Sequence, residues 1–531
     1  MLEYGLIIEI QRRRNMSVDR RDFVKFLGGS TVAFSLGGMT SCLAASKNNG
    51  PFTPITFSDV DDLQLAPGFE YELVASFGDK INSNEKFGAN NDYTTPIALN
   101  DNEIILWVNH EYPDLLIGSR WESGMERTQE MIDAERKSCG GSLLHLVKKG
   151  KTWNLKLNSP YNRRVSGETK IPLISERPIE GASIAEGTFA NCAGGVTPWN
   201  TVLTCEENYN MFYGERKEGS RKVSKSRLGW EKFYNNPPEH YGWVVEVNPL
   251  TGEAKKLTGI GRFSHECATC VRTKDGRVAV YSGDDANNEF LYKFISDEKD
   301  SLDKGELFVA DIKNGKWMSL SLKKQKALQK EFKDQTDVLI HCRKAAKILG
   351  ATPLDRPEDI EINPKTGDVF ICLTNNKKKG NFHGSILKLS ETQADHGAMT
   401  FTAEDFLVGG KDFSCPDNLA FDKNGNFWFA TDISGGAMNR PPYSKFKNNG
   451  LFYVPMSGAQ MGKVFQVASA PTDAELTGLS FSPDGETLFL SVQHPGERSK
   501  SVRELRSHWP KGGNNLPLSS VVQIRSPFLK A

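Results

Sequence analysis

The chain has 531 residues, which is enough for two to four ordinary domains or for one large all-β unit. Its 66 basic and 66 acidic residues cancel and are scattered, so the sequence lacks the one-sided positive charge that a nucleic-acid-binding protein needs. Abundant glycine, at 48 residues, and short runs of Val, Ile and Phe between turn signals favour strands over long helices.

The N-terminal segment has the layout of a signal peptide with a twin-arginine motif. Arg20 and Arg21 precede a stretch that carries no charge from residue 26 until Lys47. A basic amphipathic surface helix is the alternative, but such a helix would need charges along that stretch. We therefore predict a signal peptide over residues 1–45, export by the twin-arginine translocase, and a periplasmic or outer-membrane, cell-surface location.

Cys42 follows Met39, Thr40 and Ser41 in a sequence that resembles a lipobox. In that interpretation the cysteine is acylated and the protein has a lipid anchor. The alternative is simple cleavage near Ala45. The remaining residues, 46–531, are predicted to form one domain.

A turn pattern that ends in glycine recurs along this domain. The turns occupy residues 248–252, 274–276, 363–367, 422–425 and 482–485. Four of them precede short strand-like runs, at residues 278–281, 369–372, 427–430 and 488–491. Each turn with its flanking runs is typical of a β-hairpin, and repeated hairpins predict the four-stranded blades of a β-propeller. A pair of β-sandwiches is the alternative architecture.

Residues 318–348 break the hairpin pattern. They are rich in Leu and Lys, with helical spacing of Leu328, Phe332 and Val338. We predict a helical insertion there, packed on the outside of the propeller with its charges in solvent.

Acidic residues follow four strand-like runs at the point where a loop begins, which is where a propeller carries functional groups around its axis. The four motifs are Asn109-His110-Glu111, Cys205-Glu206-Glu207-Asn208, His265-Glu266 and Arg356-Pro357-Glu358. Any one of them could be an ordinary surface loop, but together they indicate a metal site. Carboxylates suit calcium, and a thiolate beside carboxylates suits iron. Asp284 and Asp417 lie in further loops, where metal binding and turn capping both remain open.

Arg356 is a candidate phosphate-binding residue, because a guanidinium pairs bidentately with phosphate. It could equally brace a neighbouring blade. Closely spaced cations beside it would neutralise the charge of a phosphate ester and polarise its P–O bond.

Longer segments match a known family in order through nearly the whole predicted domain. They are residues 106–112 (LWVNHEY), 191–199 (NCAGGVTPW), 203–209 (LTCEENY), 261–266 (GRFSHE), 281–285 (YSGDD), 356–358 (RPE), 414–422 and 481–497. In these segments the chain resembles the PhoX family of alkaline phosphatases, which are exported through the twin-arginine pathway and depend on calcium and iron.

The resemblance implies a six-bladed propeller whose axial site holds a pair of iron ions with calcium ions alongside. Cys205 would supply the iron-binding thiolate and Arg356 would contact phosphate. The implied metal ligands are Cys205, Glu207, Glu266, Glu358, Asp284, Asp417 and Glu111, and the implied catalytic residues are Arg356, Glu206 and Asn191. Asp359, Cys415 and Asn418 depart from the expected pattern, which bears on substrate preference more than on the metals.

The predicted function is hydrolysis of small phosphate monoesters by an exported enzyme that uses Ca²⁺ and Fe³⁺. One alternative is a calcium-dependent propeller hydrolase such as a lactonase, because that reaction needs only one oxygen-ligated cation. The other is a non-catalytic calcium-binding envelope protein. Binding of a nucleic-acid polymer is not expected.

Overall fold

The structure, a computed structural model, describes residues 50–217 and 219–530 of the chain. The predicted signal peptide and Cys42 lie outside these residues. None of the helices within the described ranges is long and apolar enough to span a membrane.

The strands form six sheets of four to six strands each. The first strands of successive sheets lie beside one another, so the sheets are arranged around a central axis as the blades of a β-propeller. The predicted fold class, an all-β propeller with six blades, is confirmed. A sandwich would contain two facing sheets in each domain, and six sheets around one axis exclude it.

The first three blades follow one another in the chain. Blade 1 contains Asn91–Asn100, Glu103–His110, Gly140–Lys149 and Thr152–Leu155, with Arg163–Val165 paired to its third strand. Blade 2 contains Asn191–Val196, Val202–Glu206, Val244–Val247 and Ala254–Leu257, with Lys170–Ile174 and Ile184–Glu186 at its outer edge. Blade 3 contains Thr269–Arg272, Val278–Gly283, Leu291–Ser296, Gly305–Asp311 and Lys316–Ser319.

The last three blades include the closure of the ring. Blade 4 contains Pro357–Ile362, Val369–Leu373, Ser385–Glu391 and Phe401–Val408. Blade 5 contains Pro416–Phe421, Phe427–Thr431, Gly450–Val454 and Phe465–Ser469, with Gln64–Leu65 at its outer edge. Blade 6 contains Glu475–Phe481, Thr487–Gln493 and Ser520–Arg525, and its outer strand is the early segment Glu70–Ser76.

The predicted hairpin turns are confirmed in blades 2 to 6. Gly252, Gly276, Gly367, Gly425 and Gly485 end the turns, each with φ between 70° and 90°. Residues other than glycine are strained in this left-handed region, which explains why glycine ends each turn.

The helices of the described residues are short, and all but the last lie between strands. They are α1 (Gln129–Ser138), α2 (Asn210–Tyr213), α3 (Gln335–Ile340), α4 (Cys342–Leu349) and α5 (Pro527–Lys530). Single 3₁₀ turns occur at Trp230–Lys232, Pro238–His240, Thr258–Ile260, Ile312–Asn314, Leu328–Lys330, Lys377–Lys379 and Thr392–Ala394. The predicted insertion therefore begins as a strand, and its helices α3 and α4 come later. Leu328 and Val338 of this insertion pack on the apolar cluster between blades 2 and 3.

Each pair of neighbouring blades shares an apolar cluster. Trp107 of blade 1 packs with Val245 of blade 2, and Trp428 of blade 5 packs with Leu488 of blade 6. Fully burying one such aliphatic side chain contributes about 1.5–3 kcal/mol, so the interfaces between blades hold the ring together.

Glycines let the innermost strands approach one another near the axis. A Cβ atom on Gly195 of blade 2 would lie 2.1 Å from the carbonyl oxygen of Ala268. One on Gly478 of blade 6, where φ is 63°, would lie 2.3 Å from the carbonyl oxygen of Asp92. Because carbonyl oxygens of the backbone cannot move aside easily, only glycine fits at these two positions.

Candidate metal centre

Every blade brings two chain segments to the same end of the propeller. The first and second strands are antiparallel, so the start of the first strand lies beside the end of the second. Asn91 pairs with His110 in blade 1, and Glu475 pairs with Gln493 in blade 6. The predicted acidic loops after the second strands therefore meet the starts of the first strands around the axis.

Four of the first strands are irregular where they begin. Their register with the second strand slips between Asn91 and Thr94 in blade 1 and between Asn191 and Gly194 in blade 2, with equivalent slips in blades 4 and 5. Such a bulge bends the strand and changes the direction of a side chain. The bulged stretches contain Asp92, Cys192, Glu358 and Asp417.

A set of buried side chains, called here the axial cluster, meets at this end. Their ligand atoms form three overlapping groups, and within each group all atoms lie within 4.8 Å of one another. Cys192 and Glu266 each belong to two groups, so the set is continuous. Its members are Asp92, Glu111, Cys192, Glu207, Glu266, Glu358 and Asp417. The structure thus brings together the predicted ligands Glu111, Glu207, Glu266, Glu358 and Asp417.

Cys192 supplies the thiol of the cluster. Its Sγ is 3.2 Å from Glu266 Oε1 and 3.4 Å from Asp92 Oδ2. Burial raises the pKa of this thiol well above its usual value, and the charges of Asp92 and Glu266 raise it further. The thiol therefore loses its proton only when a cation lies beside it.

The carboxylates of the cluster disfavour one another's ionisation. Burial raises the pKa of Glu266 well above its usual value, and Glu358 and Asp285 raise it further. Burial likewise raises the pKa of Glu207, with Asp285 and Glu111 adding to the shift. Buried negative charges need protons or cations to balance them, so the cluster has the electrostatics of a cation site.

Arg356 lies at the edge of the cluster. Its Nη2 is 2.6 Å from Glu358 Oε1 and 2.7 Å from Asp285 Oδ2, and its side chain is 23% exposed. Its φ of 56° lies in the left-handed region, which is strained for arginine, and its carbonyl accepts the N–H of Thr374 at 3.1 Å. Strain of this kind is common at functional sites, and the predicted Arg356 is thus placed where it can reach a ligand of the cluster.

Several polar atoms beside the cluster have no hydrogen-bond partner among the described residues. They are Asp417 Oδ1, Asp285 Oδ1, Asn191 Oδ1 and both side-chain polar atoms of Asn91. Buried polar atoms are almost always satisfied in proteins, so these atoms are available to a bound group. Carboxylate and amide oxygens with one thiol suit calcium together with iron. The residues present therefore fit a metal centre.

Two predicted site residues lie outside the cluster because each is fully paired elsewhere. Glu206 accepts a hydrogen bond from Lys256 Nζ at 2.6 Å, and both side chains are 0% exposed. Asp284 pairs with Arg343 of α4, whose Nε is 2.7 Å from Asp284 Oδ2. Both carboxylates are thus held in buried ion pairs in this structure, and the catalytic role of Glu206 and the metal-binding role of Asp284 stay predictions.

The structure places the predicted thiol, Cys205, outside the axial cluster, so its iron-binding role stays a prediction. Cys205 is 0% exposed and packs with Leu203 and Val244 in the apolar cluster between blades 2 and 3. It lies in a regularly paired stretch of the second strand, which directs its side chain into that core. The bulge in the first strand instead turns Cys192 towards the acidic residues.

Asn191 is adjacent to Cys192 and fully buried. Its amide nitrogen donates to the hydroxyls of Thr188 at 2.9 Å and Thr204 at 2.8 Å. The free oxygen makes Asn191 a candidate ligand, and its catalytic role stays a prediction.

Sequence reasoning missed three acidic or thiol side chains of this end: Asp92, Cys192 and Glu475. Burial raises the pKa of Glu475 well above its usual value, and the charge of Asp432 raises it further. The available signal was position, because each missed residue stands at the start of the first strand of its blade.

The chain is thus a six-bladed β-propeller protein with a buried cluster of acidic residues at its axis. The model of the family described as alkaline phosphatase PhoX matches residues 50–496. The chain therefore belongs to the PhoX family of alkaline phosphatases.

Among solved structures, the chain is similar to Pseudomonas fluorescens PhoX in complex with vanadate, a transition state analogue. The two share 30% identity over 90% of this chain and 98% of that chain, with a TM-score of 0.81. A Trichoderma reesei carbohydrate-active enzyme of family AA12 shares 11% identity over 88% of this chain and 98% of its own, with a TM-score of 0.40. Similarity as weak as this last is no basis for assigning a function. No curated protein sequence matches the chain.

Proposed function

We propose that this alkaline phosphatase hydrolyses small phosphate monoesters with calcium and ferric iron bound in the axial cluster. The observation that carries the proposal is the cluster itself, in which carboxylates and one thiol from five blades surround one another with Arg356 at the edge. The similar PhoX of Pseudomonas fluorescens was solved with vanadate, a transition state analogue, which supports a phosphoryl substrate.

The donor atoms divide the cluster between the two metals. The two groups that include Cys192 contain the thiol, which is the softer donor that iron accepts. The group of Glu266, Glu358 and Asp417 offers only oxygen, which calcium prefers. When bound, such cations neutralise the charge of a phosphate ester and lower the pKa of adjacent water.

Arg356 would bind and orient the phosphate. Burial opposes its charge, but Asp285 and Glu358 outweigh that effect and hold the pKa of the guanidinium well above its usual value. It therefore remains a cation at alkaline pH and can donate two parallel hydrogen bonds to phosphate oxygens. Gln493 Nε2 donates to Glu111 Oε2 at 2.7 Å and fixes that carboxylate at the opposite side of the cluster.

The test combines metal analysis with turnover. Protein reconstituted with calcium and ferric iron should contain both metals, release phosphate from phenyl phosphate at alkaline pH, and lose activity on chelation. Cys192→Ala should lose iron and activity together. Cys205→Ala is the matched control, and it should keep the iron content and the turnover of the folded protein.

Three results would contradict the proposal. Iron that is retained in Cys192→Ala would remove the thiol from the metal site. No phosphate release from fully loaded protein would remove the monoester substrate. Calcium binding without iron, accompanied by lactone cleavage, would favour the lactonase alternative.

We further propose that the protein is exported by the twin-arginine translocase to the periplasm or the cell surface, with Cys42 as the candidate site of lipid attachment. The support is the arginine pair before the uncharged stretch. Replacing Arg20 and Arg21 by lysine should retain the protein in the cytoplasm, as measured by fractionation. Incorporation of labelled fatty acid that is lost in Cys42→Ala would establish the anchor, and cleavage near Ala45 without label would exclude it.

A further inference from the structure

A cleft of about 900 Å³ opens beside the axial cluster. Asn90, Tyr112 and His494 form the part of the cleft that reaches the cluster. The carbonyl of Asn90 accepts the N–H of Glu111 at 3.1 Å, and His494 Nε2 is 3.5 Å from Glu475 Oε2. The lining of the cleft therefore contacts Glu111 of the cluster and Glu475 beside it.

Part of the lining of the cleft is apolar, and it lies beside charged residues such as Glu122, Arg227 and Lys500. Leu115, Leu116 and Ile117 stand in succession on one wall, all half-buried, on a loop rather than a strand. Met211 also lines the cleft and is half-buried. Apolar side chains in a cleft beside a polar site offer contact area for the apolar part of a ligand.

The size of the cleft exceeds what phosphate needs. A volume of about 900 Å³ lies within the range of roughly 300–1,000 Å³ that is typical of sites for whole organic ligands. The cleft therefore has room for the alcohol portion of a phosphate ester whose phosphate lies at the cluster.

Two aromatic rings in the cleft are held in fixed positions. Tyr112 stacks on Phe212, with ring centroids 6.3 Å apart and planes at 10°. Trp121 Nε1 donates to the carbonyl of Met125 at 2.9 Å, and the guanidinium of Arg127 lies 5.4 Å from the centroid of the Trp121 ring. Fixed rings favour flat aromatic partners, because stacking then requires little further ordering.

We propose that this cleft binds the alcohol portion of the substrate and selects phosphate monoesters whose alcohol carries an aromatic ring. The proposal rests on the phosphatase function proposed above and names its substrate class. Trp121 and Met211 are the specificity-determining side chains; both line the cleft, and neither belongs to the metal centre.

The test compares two esters in three variants. For Trp121→Ala and Met211→Ala, the kcat/KM for phenyl phosphate should fall about tenfold or more, the scale of losing apolar contact in a substrate pocket. The kcat/KM for glycerol phosphate should remain within about twofold, because that alcohol is too small and polar to use the walls. Met461→Ala is the matched control for Met211→Ala, since Met461 is 61% exposed and does not line the cleft. It should leave both substrates unchanged.

Equal losses for the two esters, or no loss for either, would overturn the cleft as the specificity site. Wild-type protein that is inactive on both esters would instead refute the proposed function. A direct binding measurement separates the two failures and covers variants that do not fold. Wild-type protein should bind phenylphosphonate about tenfold more tightly than methylphosphonate by calorimetry, and equal affinities would overturn the proposal whatever the turnover.

Discussion

Two sets of buried carboxylates in this propeller differ in how their charge is balanced. Glu206 and Glu391 each lie beside one buried lysine, with Lys256 at 2.6 Å and Lys293 at 2.8 Å. The carboxylates of the axial cluster instead lie beside one another, and Arg356 is the basic side chain at their edge. Matched charges are sufficient for a stable interior, whereas a surplus of one sign needs mobile cations or protons. The difference separates structural acids from functional ones, although both kinds are completely buried.

The largest effect should follow from changing a shared ligand of the cluster. Glu266 belongs to two of its groups, so Glu266→Gln should remove more activity than the roughly 10–100-fold loss typical of residues that only support a metal ligand. Its melting temperature without metals should not fall, because a neutral side chain relieves repulsion there. Glu206→Gln provides the comparison, and equal kcat/KM losses in the two variants would contradict the division into functional and structural acids.

The second largest effect should follow from breaking the buried ion pair of Lys256 and Glu206. Lys256→Met leaves Glu206 buried without its cation, which should lower the free energy of unfolding by about 3–5 kcal/mol. Denaturant titration measures the loss. The double variant Glu206→Leu with Lys256→Met should recover most of it, and kcat per folded molecule should remain close to wild type. A double variant as unstable as the single one would show that the lysine has another role.

The pH dependence of stability should distinguish the two sets in another way. Burial raises the pKa values of Glu207, Glu266 and Glu358. These groups stabilise the chelated fold fully below the unfolded value of about 4, and the stabilisation is lost as pH rises through their raised values. Bound cations replace the protons. The metal-loaded protein should therefore keep its melting temperature at the pH values at which the melting temperature of the chelated protein falls.

Melting curves between pH 5 and 9, with and without chelator, test this expectation. Outside the cluster, burial raises the pKa of Asp359 to about 7 and that of Glu361 to about 8. The metal-loaded and the chelated protein both contain these two groups. Their effect on the melting temperature is therefore the same in both proteins and cancels in the difference between the two curves. Parallel curves would show that the cluster holds no cations.

The smallest effect should come from an exposed pair. Lys255 Nζ is 2.6 Å from Asp303 Oδ1, but the side chains are 32% and 42% exposed. Solvent screens such a pair, so Asp303→Ala should change the free energy of unfolding by less than about 1 kcal/mol. A loss as large as that of Lys256→Met would mean that burial does not govern the strength of these pairs.

The fold was largely predictable because its signals are local. A glycine turn between two short apolar runs specifies a hairpin within about fifteen residues, and the repetition of hairpins specifies blades. The acids that directly follow second strands, such as Glu111 and Glu207, were predictable for the same reason. The length of the helical insertion was less predictable, because its boundaries depend on packing against blades 2 and 3.

Which of two neighbouring or equivalent residues joins the axial cluster depends on contacts with distant parts of the chain. Glu206 and Glu207 are adjacent and chemically alike, but only the structure shows that Lys256 lies beside the first. Cys192 and Cys205 are both in strands, and a bulge in one of them decides which thiol reaches the acids. Asp92 stands in an Asn-Asn-Asp-Tyr sequence that is equally compatible with an ordinary turn.

The closure of blade 6 imposes an order of events on the assembly of the centre. The early strand Glu70–Ser76 completes its sheet by pairing with Ser520–Arg525, more than four hundred residues later. Contacts this distant in sequence form slowly, and a nascent chain cannot make them until nearly all of it has been synthesised. A chain lacking Ser520–Arg525 would retain every member of the axial cluster and still be unable to hold them in place. Occupancy of the centre would then report that Ser520–Arg525 has been synthesised and that the ring has closed.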